Sequence, residues 1–180
     1  MSSAPESELA RRAAGGDGAA FAEIVRTHQQ AVYNVAYRLL GNSHDAEDAV
    51  QDAFIRAYQF FDKFDLDRPL APWLKRITVN VCLNRINAEV SASSLDAGLP
   101  PPQDPHPGPE VQTVNHQREE RIRAEILRLP SNYRAVIELR HFQELSYKEI
   151  AHTLKRPLSD VKSDLFRARK LLAERLKDIV

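Results

Sequence analysis

The sequence predicts an all-α protein made of two small helical domains that a flexible, proline-rich linker joins. Apolar residues recur at helical spacing through both halves of the 180-residue chain. Six of the eleven prolines lie within residues 88–117, around the run PPPQDPHPGP. Such a composition favours extended chain that buries little surface. We therefore expect a first domain at residues 1–88, a linker at residues 89–117 and a second domain at residues 118–180.

The first domain is predicted to begin with a short helix at residues 6–14 and a long one at residues 18–40. Asp17 is well placed to cap the long helix, and Gly41 to end it. One face of the long helix is apolar and carries Phe21, Ile24, Val25, Val32, Val35, Ala36 and Leu39. This face is expected to pack into the core of the domain.

A third helix is predicted at residues 44–59, with two faces of different character. The buried stripe consists of Ala46, Ala49, Val50, Ala53, Phe54 and Ala57. Acidic residues crowd the helix start, where the macrodipole favours them. Stabilisation of the helix dipole does not explain the exposed strip of Asp48, Gln51, Asp52 and Ile55. The strip would fit a partner protein whose surface is partly basic.

A polar loop at residues 62–68 ends in Pro69, a residue favoured near a helix start. The helix that follows turns Trp73, Leu74, Ile77 and Val81 inward and keeps Lys75, Arg76, Asn80, Asn84 and Arg85 outside or at its edge. An aromatic ring, cations and amides beside a polar loop fit single-stranded nucleic acid, in which bases stack and phosphates pair with cations. A tryptophan at this spacing equally fits the core.

The segment LSYKEIAHTLKRPLSDVKSDLFRARKLL, residues 145–172, predicts a helix-turn-helix. Ser146 is a predicted N-cap with Glu149 three residues on, and Pro157 ends that helix. Ser159 or Asp160 is expected to cap the second helix, whose buried face holds Val161, Leu165, Ala168, Leu171 and Leu172. Its opposite face carries Lys162, Ser163, Phe166, Arg167 and Lys170. An exposed aromatic ring among cations favours DNA contact, because the ring can meet a thymine methyl group.

Charge and composition limit the possible partners and cofactors. From residue 118 onward the chain has 15 basic and 10 acidic residues, whereas residues 1–88 have 10 and 11. Phosphate binding is therefore expected at the C-terminal end. The single cysteine, Cys82, excludes an intramolecular disulfide and a cysteine-based zinc site, and we expect no cofactor. No signal peptide or membrane-length apolar run is visible, so we expect a cytoplasmic protein without membrane insertion.

Outside the linker the chain resembles a bacterial RNA polymerase sigma factor of the extracytoplasmic-function (ECF) type in the sigma-70 family. The resemblance rests on four segments in this order: DAEDAVQDAFIRAY, PWLKRITVN, LPSNYRAVIELRHFQELSYKEIA and VKSDLFRARKLL. It implies a sigma2-like N-terminal bundle, a sigma4-like helix-turn-helix domain and no enzymatic activity. The implied partners are core RNA polymerase, through its β′ clamp helices and β flap, promoter DNA, and an anti-sigma factor.

The resemblance also implies roles for particular residues. The residues that match the strip docking on the clamp helices are Asp48, Gln51, Asp52 and Ile55. In the family, one loop captures a base flipped out of the minus-ten element, and the residues that match this loop are Asp62, Lys63, Phe64, Asp65, Leu66, Asp67 and Arg68. The residues that match the lining of the melted region are Trp73, Arg76 and Asn80. Those assigned to the minus-thirty-five element are Ser159, Lys162, Ser163, Asp164, Phe166, Arg167 and Lys170.

Three departures from the family pattern are visible. Leu70-Ala71-Pro72 replaces a phenylalanine and a basic residue that often precede the tryptophan. The turn of the helix-turn-helix lacks the usual glycine, and Asp164 stands where an arginine is common. An acid there is expected to accept from a cytosine amino group or to orient Arg167 or Lys162, which predicts an unusual minus-thirty-five sequence.

Three alternatives remain open at this stage. A stand-alone regulator, with an N-terminal sensing or dimerisation domain, explains the helix-turn-helix but leaves the exposed acidic strip and the polar loop unexplained. A nucleic-acid enzyme needs a carboxylate cluster for metal or a nucleophile with its base, and neither arrangement stands out. The third alternative is a protein that only binds and sequesters another regulator. Loss of polymerase binding on mutation of Gln51 and Asp52 would contradict it.

Overall fold

The structure is a computed structural model that describes residues 5–93 and 114–179. Within these ranges the chain forms eight α-helices, one 3₁₀ turn and one π-helical turn, and it contains no strand. The helices are α1 (Glu6–Ala14), α2 (Gly18–Leu40), α3 (Ser43–Gln59), α4 (Leu70–Ser93), α5 (Val114–Leu127), α6 (Ser131–Ile137), α7 (Tyr147–Leu154) and α8 (Leu158–Arg175). The all-α prediction is confirmed.

Helices α1 to α4 form the N-terminal bundle, with α2 at its centre. Asp17 caps α2 as predicted, since its Oδ1 accepts from the Ala19 and Ala20 backbone N–H groups at 3.0 and 3.2 Å. Gly41 ends α2 in the left-handed conformation, φ 84°, which glycine adopts without steric cost. Helix α3 starts one residue earlier than predicted, because Asn42 caps it by accepting from the Asp45 N–H at 2.8 Å.

Helices α5 to α8 form the C-terminal half, in which α7 and α8 are the predicted helix-turn-helix. Ser146 and Glu149 make the predicted capping box at the start of α7. The predicted cap of α8 is wrong: the helix begins at Leu158, directly after Pro157, and neither Ser159 nor Asp160 caps it. The fixed φ of proline suits the entry to a helix, so no side-chain cap is required.

The ends of the predicted linker are helical. Helix α4 continues to Ser93 and α5 begins at Val114, so both reach into the range 89–117. The rest of the predicted linker, residues 94–113, lies outside the described residues.

The two halves pack against each other. Helices α5 and α6 contact α2, and α6 and α7 contact α4. One apolar cluster includes core residues of both halves, among them Ile24 and Leu39 from the first and Val136 and Leu165 from the second. At this junction a Cβ on Gly41 would lie 3.1 Å from Cδ2 of Leu127. The N-terminal bundle and the C-terminal half therefore share one apolar core.

Candidate nucleic-acid and protein interfaces

The exposed strip of α3 lies opposite the stripe that the same helix buries. Ala46, Ala49, Ala53, Phe54 and Ala57 face the bundle core. Gln51 is exposed, and 56% of Ile55 is open to solvent. A branched alkyl side chain this exposed, beside carboxylates and an amide, gives the strip both apolar and acidic character.

Asp52, in the same strip, is held in place by an arginine of the next helix. Arg85 Nη2 on α4 donates to Asp52 Oδ2 at 2.5 Å. This hydrogen bond is the main reason why the pKa of Arg85 is raised, and the nearby charges of Asp48 and Asp45 add to it. About half of the Asp52 side chain stays exposed, so the carboxylate is oriented and still accessible to a partner.

The loop at residues 62–68 is fixed by its own hydrogen bonds. Asp65 Oδ1 accepts from the Asp67 N–H at 3.1 Å, and the Asp65 carbonyl accepts from the Arg68 N–H at 3.0 Å. The Arg68 guanidinium lies 3.3 Å from the Asp65 carboxylate. An aspartate that bonds to the backbone two residues on stabilises a turn, so the loop is a defined structure that presents Leu66 and Asp67 to solvent.

The loop and the start of α4 line an open cavity that brings several predicted minus-ten residues together. Its volume is about 330 Å³. The lining residues are Lys63, Phe64, Asp65, Arg68, Pro69, Pro72, Trp73 and Arg76. Three cations and an indole around one opening can neutralise phosphate and stack on a base. Asn80 lies half-buried two turns beyond Trp73 on α4.

Phe64 has a different position from the one expected for a DNA contact. Only 7% of it is exposed, and its ring packs 5.6 Å from that of Phe61 and 4.8 Å from that of Trp73. Trp73 is half-buried and belongs partly to the core. Phe64 therefore supports the tryptophan from inside, and we correct its assignment from a DNA contact to a packing residue.

Helix α8 presents a basic face with an aromatic ring at its centre. Val161, Leu165 and Ala168 are buried. Phe166 is 70% exposed, and the surrounding exposed residues are Ser159, Lys162, Arg167 and Lys170, with Ser163 half-buried. Lys155, in the turn, takes the left-handed conformation (φ 52°) that glycine usually supplies there. The turn therefore forms with a lysine in the left-handed conformation and without a glycine.

Asp164 does not face outward, which corrects its assignment to the DNA-reading face. It is 6% exposed and accepts from Arg156 Nη1 at 2.5 Å and from Asn132 Nδ2 at 3.2 Å. These partners lie in the α7–α8 turn and on α6. The carboxylate therefore ties the turn to the body of the domain and is unavailable to bases in this conformation.

The sequence analysis missed two basic residues near the recognition face. Arg140 and Lys148 line an open cavity of about 430 Å³ whose other lining residues are Ser146, Tyr147, Leu158 and Lys162. The Arg140 guanidinium lies 5.2 Å from the Tyr147 ring centroid. The excess of basic residues after residue 118 was the available signal, but it does not indicate which of them share a surface.

It also missed an ion pair that joins the two halves. Arg38 on α2 donates to both carboxylate oxygens of Glu138, at 2.7 and 2.8 Å. The two residues are 100 positions apart, and no local pattern links them.

The described ranges contain neither a group of metal-ligating side chains nor a helix that could span a membrane. There, no three or more His, Cys, Asp or Glu side chains are grouped so that they could hold a metal ion. None of the helices of residues 5–93 and 114–179 combines the length and apolar character that crossing a bilayer requires.

Comparisons with known proteins match both halves of the chain. Residues 24–90 match the family "Sigma-70 region 2" and residues 119–172 match "Sigma-70, region 4". The chain is 39% identical over 173 residues to the ECF RNA polymerase sigma factor SigW of Bacillus subtilis, which covers 91% of this chain and 92% of that protein.

Two solved structures are also similar. CnrH, in complex with the cytosolic domain of CnrY, has a TM-score of 0.63 and 26% identity, covering 96% of this chain and 97% of CnrH. The sigma factor RpoE of Bartonella quintana, in complex with the anti-sigma factor NepR, has a TM-score of 0.69 and 23% identity, covering 87% and 96%.

Proposed function

The chain belongs to the ECF sigma factors of RNA polymerase, and on this basis we propose which surface performs each step of promoter recognition. As a sigma factor it directs core RNA polymerase to specific promoters. In our proposal residues 1–88 bind core polymerase and the minus-ten element, residues 118–180 bind the minus-thirty-five element, and residues 89–117 connect them. Sigma factors are initiation factors, so we assign no reaction to the chain, and we place it in the cytoplasm with the polymerase.

The α3 strip of Asp48, Gln51, Asp52 and Ile55 is the proposed docking surface for the β′ clamp helices. Exposed Ile55 supplies an apolar contact, and the Arg85 hydrogen bond holds Asp52 oriented before binding. Preorientation reduces the side-chain entropy lost on association. The strip is therefore suited to a partner surface that combines apolar and basic groups.

The cavity between the loop and α4 is the proposed site for a base flipped out of the minus-ten element. Flipping costs a few kcal/mol of unstacking, which a pocket must offset for the base it selects. Trp73 offers a ring for stacking, and Lys63, Arg68 and Arg76 offer charge for the adjacent phosphates. Asp65 holds the turn of the loop and is assigned to the minus-ten site with the exposed residues Asp62, Leu66 and Asp67. Asn80 extends the surface along α4.

The observation that best supports the function is the basic face of α8, with Phe166 70% exposed on the side opposite a buried apolar stripe. We assign Lys162, Ser163, Phe166, Arg167 and Lys170, together with Ser159, to the major groove of the minus-thirty-five element. Arg140 and Lys148, beside the start of α7, are assigned to the flanking phosphates, because the first helix of such a motif crosses the DNA backbone. The C-terminal half is also the proposed partner of the β flap.

An anti-sigma factor is the proposed regulator. RpoE of Bartonella quintana, which shares the fold, was crystallised with one. Such a protein has to cover the α3 strip or the DNA-binding faces in order to block initiation.

Run-off transcription with purified core polymerase on a genomic fragment library tests the proposal. Adding the chain should produce discrete new start sites that share a pair of upstream motifs. Changing Gln51→Ala together with Ile55→Ala should weaken core binding about tenfold or more, because central apolar contacts dominate interface energies. Phe166→Ala should leave core binding intact and reduce transcription from promoters that depend on the minus-thirty-five element.

The matched control is Arg26→Ala, which removes an exposed side chain of α2 on the same bundle and should match the wild type. A stand-alone regulator is the competing function. It would bind duplex DNA tightly without polymerase, would not bind core, and would produce no new start sites.

A further inference from the structure

Helix α8, the proposed recognition helix, lacks two local signals that often fix a helix in its turn, a capping side chain and a glycine. No side chain caps its start after Pro157. Lys155 takes the left-handed conformation, φ 52°, in the place of a glycine. A residue with a Cβ adopts this conformation only at a steric cost. Contacts elsewhere therefore have to hold the turn in place.

A buried carboxylate supplies such contacts. Asp164, on the second turn of α8, is 6% exposed. Its Oδ2 accepts from Arg156 Nη1 at 2.5 Å and from Asn132 Nδ2 at 3.2 Å. Arg156 belongs to the turn and Asn132 to α6, so one oxygen atom joins three parts of the domain. We call these three residues the Asp164 tether.

The arginine of the tether is also fixed through its backbone. The Arg156 N–H donates to the Ala151 carbonyl oxygen at 3.0 Å, and the Lys155 N–H donates to the His152 carbonyl oxygen at 3.3 Å. These are the two hydrogen bonds of a Schellman motif at the end of α7. The guanidinium of the same residue reaches forward to Asp164. Arg156 therefore connects the end of the first helix of the motif to the second turn of the recognition helix.

The tether fixes the rotation of α8 about its own axis. Val161, Leu165 and Ala168 are buried, but hydrophobic contact is non-directional, whereas hydrogen bonds depend on angle as well as distance. Side-chain tips lie roughly 5–6 Å from a helix axis, so a rotation of about 20° moves them by about 2 Å. Hydrogen bonds to bases tolerate a range of only about 0.5 Å. Apolar packing alone is therefore a weaker guide to base contacts than the tether.

A rotation of α8 would displace the side chains proposed to read the minus-thirty-five element. Ser163 directly precedes Asp164, and Arg167 lies about 60° from it around the helix axis. Phe166 is 70% exposed on the same helix. Contacts with base edges in the major groove depend on where each side chain lies. Holding the helix in one rotation therefore sets where Lys162, Phe166 and Arg167 meet the bases.

We propose that Arg156 and Asn132 are positioning residues for the reading of the minus-thirty-five element, and that they act on the bases only through Asp164 and the rotation of α8. This inference rests on the proposed function, because it assumes that α8 enters the major groove. The tether contributes to the choice of sequence and not to general affinity for DNA. The competing roles are a direct base contact by Asp164 and a phosphate contact by Arg156.

Selection of promoter fragments with a randomised minus-thirty-five element on holoenzyme that contains the full chain, followed by sequencing, tests this proposal. Asp164→Asn keeps the size of the side chain and removes its charge. It should lower the preference for the selected element over a scrambled one about tenfold, and the loss should extend over all base pairs that α8 reads. Arg156→Ala should give the same profile. The two changes should not be additive, because both break one network.

The salt dependence of binding separates positioning from phosphate binding. Removal of a phosphate contact lowers the slope of log K against log salt by about 1. Arg156→Ala should leave this slope unchanged, and it should keep the affinity for a scrambled element within about twofold of the wild type. The control is Asp160→Asn at an exposed acid 3.9 Å from the same arginine. It should keep the wild-type preference at every base pair.

Asn132→Ala keeps the test decisive where loss of the buried ion pair unfolds the domain. It removes only the neutral member of the tether and leaves Arg156 paired with Asp164. Its loss of preference should be smaller, about threefold, because a hydrogen bond between neutral and charged groups is removed while the ion pair stays. Assembly with core polymerase, measured for every variant before selection, shows that the domain is folded.

The proposal is overturned if Asp164→Asn changes the preference at a single base pair, which would make Asp164 a base contact. It is also overturned if Arg156→Ala lowers the salt slope by about 1, or if Arg156→Ala and Asn132→Ala both keep the wild-type preference. Failure of the proposed function has a different signature, since then the wild-type chain binds no core polymerase or its holoenzyme selects no minus-thirty-five sequence.

Discussion

Asp164 illustrates how one side chain can look like a DNA contact and act as a structural anchor. It lies on the helix that carries the exposed cations, yet its carboxylate is buried against Arg156 and Asn132. Burying a charge is tolerated only when it is paired and hydrogen-bonded. The acid at this position and the arginine in the turn therefore have to be considered together, which the sequence pattern of one helix does not reveal.

Removing this anchor should destabilise the C-terminal half. Asp164→Ala leaves Arg156 without its closest partner, and we expect the free energy of unfolding to fall by at least about 2 kcal/mol, because loss of one partner of a buried pair is costly. Urea denaturation measures it. Asp160→Ala is the matched control, since Asp160 is exposed and 3.9 Å from the same arginine, and it should cost about 0.5 kcal/mol or less. Equal effects of the two variants would contradict the anchoring role.

Cys82 offers a pH-dependent test of the N-terminal core. Burial raises the pKa of its thiol to about 12 from an ordinary value of 9.0. The unfolded chain therefore loses this proton first, so this group should make the free energy of unfolding fall as the pH rises from about 9 to about 12, with no effect below that range.

The thiol should also resist iodoacetamide at pH 8 in the folded protein and react in urea, as followed by mass spectrometry, because only the thiolate is nucleophilic. Similar alkylation rates in both states would show that the core around Cys82 opens readily.

At the level of elements, local chemistry predicts helix boundaries where a side chain determines them. Asp17, Gly41 and the Ser146–Glu149 box do so, and each lies where the sequence predicts. The start of α8 was wrong because proline, and not a capping side chain, begins that helix. The linker ends were also misjudged. An established helix extends at little cost, and α5 gains a pair between His116 and Glu120, 3.2 Å apart and one turn away.

The capping box of α7 gives a prediction about one element. Ser146→Ala removes the acceptor of the Glu149 N–H and should lower the free energy of unfolding by about 1 kcal/mol. Ser159→Ala provides the comparison, because this serine lies in the first turn of α8 without capping it, and it should change stability by less than about 0.5 kcal/mol. Chemical denaturation measures the free energy of unfolding of both variants. A larger loss of stability in Ser159→Ala than in Ser146→Ala would contradict the assignment of Ser146 as the capping residue.

At the level of the whole molecule, the arrangement of the two halves was beyond the reach of sequence patterns. Periodicity identifies the inner face of a helix but not the helix that covers it. Arg38 and Glu138 are 100 positions apart, and each looks like an ordinary charged residue in its own helix. The candidate surfaces on α3 and α8 were predictable because they combine exposure with unusual composition, whereas the contact that brings Glu149 near Arg76 depends entirely on tertiary packing.

Because the apolar cluster includes residues of both halves, we expect the full chain to unfold in a single thermal transition. Scanning calorimetry should give a calorimetric enthalpy equal to the van't Hoff enthalpy, the mark of a two-state process. Arg38→Ala removes the ion pair with Glu138 that joins the two halves. If this pair is needed for their coupling, the two halves should unfold separately and give two transitions, or one broadened transition whose van't Hoff enthalpy is lower than the calorimetric value. Arg12→Ala, which breaks only the exposed pair with Asp17 inside the N-terminal bundle, should keep the single transition. Two resolved transitions in the wild type would mean that the halves are energetically independent, and an unchanged single transition in Arg38→Ala would mean that apolar packing alone couples them.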